Sequence, residues 1–368
     1  MPESLTIFHV LTSFHIGGGE RVAVDLAKRQ HAQGHRVTVV SLEAPPDGPL
    51  SGELTRAGIP VRRVIKKPHG LDPTLSFRLG ALFARKRADV VHTHNPMPLI
   101  YAALPGRIVR ARVIHTKHGA NAASSRSMAL RRRAASFVHH FVPVSDETAE
   151  EALRQRDSAA RRISVVRNGI DLSRFGPDAD MRTEVRDELG IPGDAWVVGS
   201  VGRLIELKNH ALLIRAATPL LGDGFHLVIV GDGPTMETLQ QLRAESPHPE
   251  SIHLLGVRRD VPRLLTGLDV FAMSSQSEGL PLVVPEAMAT GLPIVCTAVG
   301  GLPAVVDEDE TGHLVPAGDE GLLRTRLAQL AGDVGRSRTL GNRAREVALQ
   351  RYSAERMVAD YAALYARD

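Results

Sequence analysis

The residues best placed to do chemistry are two carboxylates, Glu278 and Glu286, spaced Glu-x7-Glu in the string S-S-Q-S-E-G-L-P-L-V-V-P-E-A-M-A-T-G. Apolar runs at 269–273 and 293–296 predict buried strands on either side. Residues 282–290 predict a helix stopped by Gly291. Pro281 and Pro285 fall at or near its first turn, where a missing N–H costs nothing because that donor has no intrahelical partner. Glu278 and Gly279 therefore lie in a loop leading to a helix N-terminus, with Glu286 on the opening turns. A helix start offers free N–H groups and partial positive charge, which suit a phosphate. A carboxylate one turn in can accept from both hydroxyls of a ribose, and one in the loop can hold hydroxyls of a second sugar. As an isolated pair, the two also read as ordinary acidic residues of a helix start.

A second constellation is cationic. The run W-V-V-G-S-V-G-R-L-I-E-L-K predicts a strand, a glycine and then Arg203 and Lys208. Such a pair can neutralise a diphosphate without a metal, or be two surface bases before a helix. Near the N-terminus a strand at 6–11, a Gly17-Gly18-Gly19-Glu20 loop, a helix ended by Gly34 and a strand at 36–42 make a βαβ unit of a parallel sheet. The glycines are not G-x-G-x-x-G, and alone they are a tight turn that either touches a ligand or does not. Histidines recur at the following strand ends: His92-x-His94, His115-x-x-His118, and His139-His140. No Asp or Cys completes a recognisable site, so no metal is expected there. The strings Asp178-Ala-Asp180 and Asp307-Glu-Asp309 fall in apparent loops. Cys296, the sole cysteine, sits in an apolar run and reads as core filler rather than a nucleophile.

Several of these strings resemble the retaining glycosyltransferases of family 4: E-G-L-P-L-V-V-P-E-A-M-A-T-G-L-P, G-R-L-x-x-x-K, V-G-D-G-P at 230–234, R-N-G-I-D at 167–171, and T-x-H-G at His118. The family more often has two leucines where Val284-Pro285 stands, a departure that leaves both carboxylates in place. The resemblance covers nearly the whole chain, most specifically 202–316, and is weakest over the first 110 residues, where acceptors are chosen. It implies an α/β protein of the GT-B type, two Rossmann-like domains facing each other across a cleft. The first, 1–172, would bind acceptor and carry the returning C-terminal helix of 352–368. The second, 173–351, would bind a nucleotide-sugar.

Residue by residue, the resemblance gives Arg203 and Lys208 the donor diphosphate, Glu286 the ribose, and Glu278 the donor sugar, with Gly279 and Leu280 beside it. It puts Val257 near the base, Gly18 and Gly19 facing the phosphates, Glu20 on the acceptor side, and His118 near the transferred sugar. The donor would be UDP-linked, with GDP as runner-up. Transfer would be retaining, with no enzymic nucleophile, no cofactor and no required metal. The acceptor would be lipid-borne, as in envelope polysaccharide assembly, or a small soluble aglycone. A sugar-nucleotide epimerase and a silent nucleotide-sugar binder are the rivals.

Composition narrows the surroundings. The 368 residues suffice for two domains, and 43% hydrophobic with 23% charged content is that of a globular protein. Aromatics at 4% argue against a stacking surface for single-stranded nucleic acid. The lone cysteine fits a reducing compartment. No apolar run nears the roughly 20 residues that span a bilayer, and no signal-peptide pattern opens the chain, so a cytoplasmic protein is expected. Net charge is +4, yet residues 1–172 hold 26 Lys+Arg against 14 Asp+Glu, leaving 19 against 27 in the remainder. That asymmetry suggests an anionic partner for the first half, a membrane face or a phosphorylated acceptor rather than nucleic acid. Residues 124–141, with Arg131, Arg132 and Arg133 beside Met128, Leu130, Phe137 and Val138, read as a basic amphipathic helix for a membrane surface or as a solvated helix face.

Overall fold

The computed structural model describes residues 4–15, 17–43, 48–68, 70–119, 125–158, 162–222 and 224–366. The chain divides into two compact units, Met1–Gly169 with Ala354–Asp368, and Ile170–Ser353. The division falls at 169/170 and 353/354, a few residues from the sequence-expected 172/173 and 351/352.

The first unit alternates β1 (Thr6–Leu11), α1 (Gly18–Ala32), β2 (Arg36–Ser41), α2 (Pro49–Arg56), β3 (Val61–Arg63), α3 (Pro73–Lys86), β4 (Val90–His94), α4 (Pro96–Ile108), β5 (Arg112–Lys117), α5 (Ser125–Ala135), β6 (His140–Pro143) and α6 (Asp146–Arg154). Its six strands are parallel in the order β3-β2-β1-β4-β5-β6. A sheet covered by helices on both faces has no solvent side, which is why β1 and β4 are buried at every position. The chain returns to this unit as α14 (Ala354–Tyr365). Its buried residues Ala354, Met357, Val358, Tyr361 and Tyr365 form one helical stripe. Arg29 pairs with Glu355, and Arg112 donates to Leu364 O at 2.6 Å near the helix end.

The second unit holds α7 (Ala179–Leu189), β7 (Trp196–Val201), α8 (His210–Ala217), β8 (Phe225–Val230), α9 (Met236–Glu245), β9 (Ile252–Leu254), α10 (Val261–Thr266), β10 (Val270–Met273), α11 (Val283–Ala289), β11 (Ile294–Thr297), β12 (Gly312–Val315), α12 (Glu320–Gly332) and α13 (Val334–Arg351). It too is a six-stranded parallel sheet, ordered β12-β11-β10-β7-β8-β9. Each sheet is therefore built outward from its first strand and then resumed on that strand's other side. The reversal lies between β1 and β4 in one unit and between β7 and β10 in the other. Connections on the two sides of such a reversal diverge, leaving a crevice at the carboxyl edge where α/β sheets place ligands.

Residues 163–171 form no strand: Ile163 bridges to Phe141 and Ile170 to Ser353, with irregular backbone between them. The basic helix at 124–141 is shorter, and Ser124 lies outside the described residues. Its apolar side is spent on the core: Ala134, Ala135 and Val138 pack with Leu99, Ala103 and Phe141. Arg131 is not a surface cation. It is 3% exposed, 3.6 Å from Asp157, which also pairs with buried Lys117 at 3.0 Å. A charge taken from water needs such a partner, so it points inward. Arg132 and Arg133 are exposed, and Arg132 donates to Gln155 O at 2.7 Å.

Candidate active site

Three loops at the carboxyl edge of the second sheet build one crevice. After β7 the chain passes Gly202 and Arg203, with Leu204 N donating to Asp232 O at 2.9 Å. This contact demands glycine opposite. Gly231 and Gly233 have φ of 145° and 158°, and a Cβ on them would stand 1.8 Å from Gly202 O and 2.3 Å from Leu204 O. A 3-10 turn, Glu206–Lys208, then presents Lys208. Its Nζ lies 2.5 Å from Glu278 Oε1, the oxygen that also accepts from Ser275 Oγ at 2.5 Å.

The β10 loop is tied to that turn through Gln276 N to Leu207 O at 2.8 Å and Ser274 Oγ to Asn209 O at 2.8 Å. The loop after β11 completes the cradle. Gly301 N donates to Gly279 O at 2.9 Å, and a Cβ on Gly300 would meet Glu278 O at 1.9 Å. Glu278 is thus held from three sides and neutralised by one cation. Arg203 is exposed, and its side chain has no ion pair or hydrogen bond among the described residues.

Helix α11 begins at Val283, close to expectation, and Pro285 is its third residue, where no intrahelical donor is lost. Glu286 N makes the first helical bond, 3.0 Å to Leu282 O, and its side chain is half-buried. Leu280 is buried, whereas Val257, just past Gly256, is 66% exposed beyond β9. Cys296 is fully buried and its thiol is pushed up by burial and by nearby carboxylates, which rules it out as a nucleophile.

The first unit's crevice is built differently. Gly18 and Gly19 do not form a loop; they are the opening turn of α1, with Gly17 as N-cap. The first intrahelical bond is Arg21 N to Gly17 O at 2.9 Å, so the Gly18 and Gly19 N–H groups have no partner within the helix. A Cβ on Gly19 would stand 2.9 Å from the His118 ring, which therefore rests against the helix start. The Glu20 carboxylate folds over Gly17, 2.4 Å from where a Cβ would be.

His118, just beyond β5, belongs to a hydrogen-bonded series reaching into the core. Its Nε2 is 3.1 Å from His94 Nδ1, His94 Nε2 is 3.0 Å from His9 Nδ1, and His9 Nε2 is 2.8 Å from Gln30 Oε1. A second branch joins Gln30 to Tyr365 OH at 3.2 Å, Tyr365 OH to His92 Nδ1 at 2.6 Å, and His92 Nε2 to Thr116 Oγ1 at 2.7 Å. Tyr361 OH lies 2.8 Å from the same Thr116 oxygen. Burial lowers His9 and His118 to about 4. It lowers His115 to about 3 and His94 well below its usual range, with neighbouring positive charge adding to both. These rings are neutral at pH 7.

Sequence reasoning singled out His118 as a candidate but not His9, Gln30, Tyr361 and Tyr365, which lie in the same hydrogen-bonded network. The visible signal was a histidine inside the apolar strand T-I-F-H-V-L and a tyrosine pair spaced i, i+4 near the C-terminus. Ser275 and Gly300 were likewise missed as supports of Glu278.

His9, His92 and His94 stand close enough to share an ion, as do Glu308, Asp309 and His313. In the first group every ring nitrogen already has a hydrogen-bond partner. In the second, Glu308 also pairs with Arg326 at 3.1 Å. Asp178 caps α7 by accepting from Met181 N at 2.9 Å, a structural task.

The sequence matches the family model for glycosyl transferases group 1 over residues 181–347 and that for glycosyltransferase family 4 over 16–174. It is 30% identical to a D-inositol 3-phosphate glycosyltransferase of Corynebacterium urealyticum, over 77% of this chain and 76% of that protein. It is 28% identical to the Escherichia coli UDP-Gal:alpha-D-GlcNAc-diphosphoundecaprenol alpha-1,3-galactosyltransferase, over 68% of each. The crystal structure of Anabaena Alr3699/HepE in complex with UDP superposes with a TM-score of 0.86 at 22% identity, covering 98% of this chain and 99% of that one.

Proposed function

This chain belongs to the glycosyl transferases group 1 and is a glycosyltransferase of the GT-B fold, and from that premise we propose that it moves a sugar from a UDP-sugar to a lipid-linked or envelope-polysaccharide precursor, with retention at the anomeric carbon. The observation that carries the donor assignment is the crevice between β7 and β10. There Lys208 and Glu278 are in contact, Glu278 is fixed by Ser275, and Arg203 is an uncommitted cation on the same edge. Breaking the bond from the anomeric carbon to the donor's phosphate oxygen puts charge on the departing diphosphate. Arg203 and Lys208 neutralise it as it develops, so no divalent metal is needed. Glu278 accepts from hydroxyls of the donor sugar and Glu286 from the ribose. With no enzymic nucleophile, the leaving phosphate takes the acceptor's proton as the new glycosidic bond forms.

Melting of the purified protein with UDP, GDP, ADP and their sugar conjugates tests this, since a ligand of the native state raises Tm by mass action. UDP and a UDP-sugar should raise it most, with or without EDTA. No shift with any nucleotide would remove the donor assignment.

The lipid-borne acceptor is favoured by a surface other than α5. On the adjacent helices α3 and α4, Phe77 is 80% exposed and Ile108 70%, with Leu104 one turn before Ile108. Arg78, Arg85 and Arg107 are exposed on the same two helices. Apolar side chains among cations suit an anionic bilayer surface. Sedimentation with anionic vesicles should be lost in Phe77→Ser/Ile108→Ser and kept in Arg132→Ser/Arg133→Ser; the reverse would restore α5. The alternative acceptor is a small phosphorylated molecule, such as the one named for the Corynebacterium relative.

A further inference from the structure

The histidine series in the first unit has a polarity, and that polarity decides which nitrogen His118 offers. We infer that Gln30, His9 and His94 act as a tautomer relay that fixes His118 with its proton on Nε2 and a bare lone pair on Nδ1. The inference rests on the reading of His118 as a group of the transfer site.

A neutral imidazole has one donor and one acceptor nitrogen, and the partner of one sets the state of the other. Gln30 Oε1 can only accept, so His9 carries its proton on Nε2 and presents Nδ1 as acceptor at 3.0 Å to His94. His94 then donates from Nε2 and accepts on Nδ1 from His118 Nε2, 3.1 Å away. The second branch agrees. Gln30 Nε2 donates to the Tyr365 oxygen, Tyr365 O–H donates to His92 Nδ1, and His92 Nε2–H donates to Thr116.

Turning the Gln30 amide over would reverse every bond, and each contact could still be made. The two arrangements differ at His118, whose Nδ1 is buried with no partner among the described residues. In the reversed arrangement that nitrogen would be a buried N–H with no acceptor. In the assigned one it is a lone pair, and an unsatisfied acceptor is the better tolerated of the two. The low proton affinity of His9 and His118 keeps the series neutral, so each bond stays directional. His118 thus keeps its Nε2 proton committed to His94 and leaves Nδ1 an unprotonated acceptor, closed to solvent in this structure. Gln30, His9 and His94 are positioning residues, touching no substrate.

The test is the long-range nitrogen–proton NMR spectrum of histidine-labelled full-length protein at pH 7, with His118 assigned by the signals missing in His118→Asn. Wild type should show protonated Nε2 and unprotonated Nδ1 at His9, His94 and His118. A protonated Nδ1 at His118, or averaged nitrogen shifts, would overturn the relay. Gln30→Leu removes the terminal acceptor and should give a mixed tautomer at His118. It should lower kcat about tenfold, the low end for an outer-shell partner of a functional histidine, with the donor KM unchanged. Gln30→Glu keeps the acceptor and should keep the wild-type tautomer. If the residue served packing alone, burying a carboxylate would do at least as much damage as leucine. Equal behaviour of the two variants would therefore count against the inference. Should Gln30→Leu fail to fold, the wild-type spectrum still decides. Full turnover in His118→Ala would sink the role of His118 in transfer while leaving the tautomer result standing.

Discussion

At the crevice between β7 and β10 the side chains are ionised: Lys208 on Glu278, with Arg203 uncommitted beside them. At the crevice between β1 and β4 they are neutral rings, bonded in series and buried. Both lie at the reversal of a sheet with the same strand order, so topology alone does not separate them. We propose that what separates them is the charge each must meet: fixed cations recognise a diphosphate, whereas neutral groups with directional hydrogen bonds suit an uncharged partner.

The largest expected effect is on the charged side. Arg203→Ala and Lys208→Ala should each lower kcat about 10²–10³-fold, the usual loss when one group stabilising developing charge is removed. A loss under about threefold in both would mean that the diphosphate lies elsewhere. His118→Ala should lower kcat by about 10²-fold, in the range of a single proton-handling group, with the nucleotide's Kd unmoved in calorimetry. If Kd rises with it, the two crevices do not divide the labour as described.

On the proposed ribose role, Glu286→Ala would delete hydrogen bonds to a charged acceptor worth about 1.5 kcal/mol or more. UDP should bind about tenfold more weakly, and unchanged affinity would end the ribose assignment. The gentlest test is acid. His9 and His118 are lowered from the ordinary 6.5 to about 4, so between those values the unfolded chain binds protons that the folded chain refuses. Stability should fall as pH drops through that window and level off below it. Among the described residues, burial lowers His9, His35, His92, His94, His115, His118 and His139 in the first unit and His210 and His253 in the second. Hydrogen exchange at pH 5 against pH 7, corrected for intrinsic rates, should show β1, β4 and β5 losing protection before β7 and β10. Equal loss in both sheets would contradict it.

The charged crevice was the more legible in sequence. Lys208, Glu278 and Glu286 stand on local signals: a glycine after an apolar strand, a proline-marked helix start, cations at short spacing. Those depend on nearest neighbours, and the structure places the elements within a residue or two. The neutral crevice depends on contacts far apart in the chain. Gln30 meets Tyr365 across 335 residues, and His9 meets His94 across 85. No local pattern encodes such a pairing. Arg131 misled for a related reason. Its neighbours Arg132 and Arg133 are exposed, so the run looked like a charged face until Asp157 drew the first of the three inward.

The most direct measurement is calorimetric titration of UDP into wild type, Arg203→Met and His118→Leu. Affinity should fall about tenfold or more in Arg203→Met, a loss of roughly 1.4 kcal/mol, and stay within about twofold of wild type in His118→Leu. The opposite pattern, with UDP indifferent to Arg203 and weakened by loss of His118, would contradict the assignment of the diphosphate to the second unit.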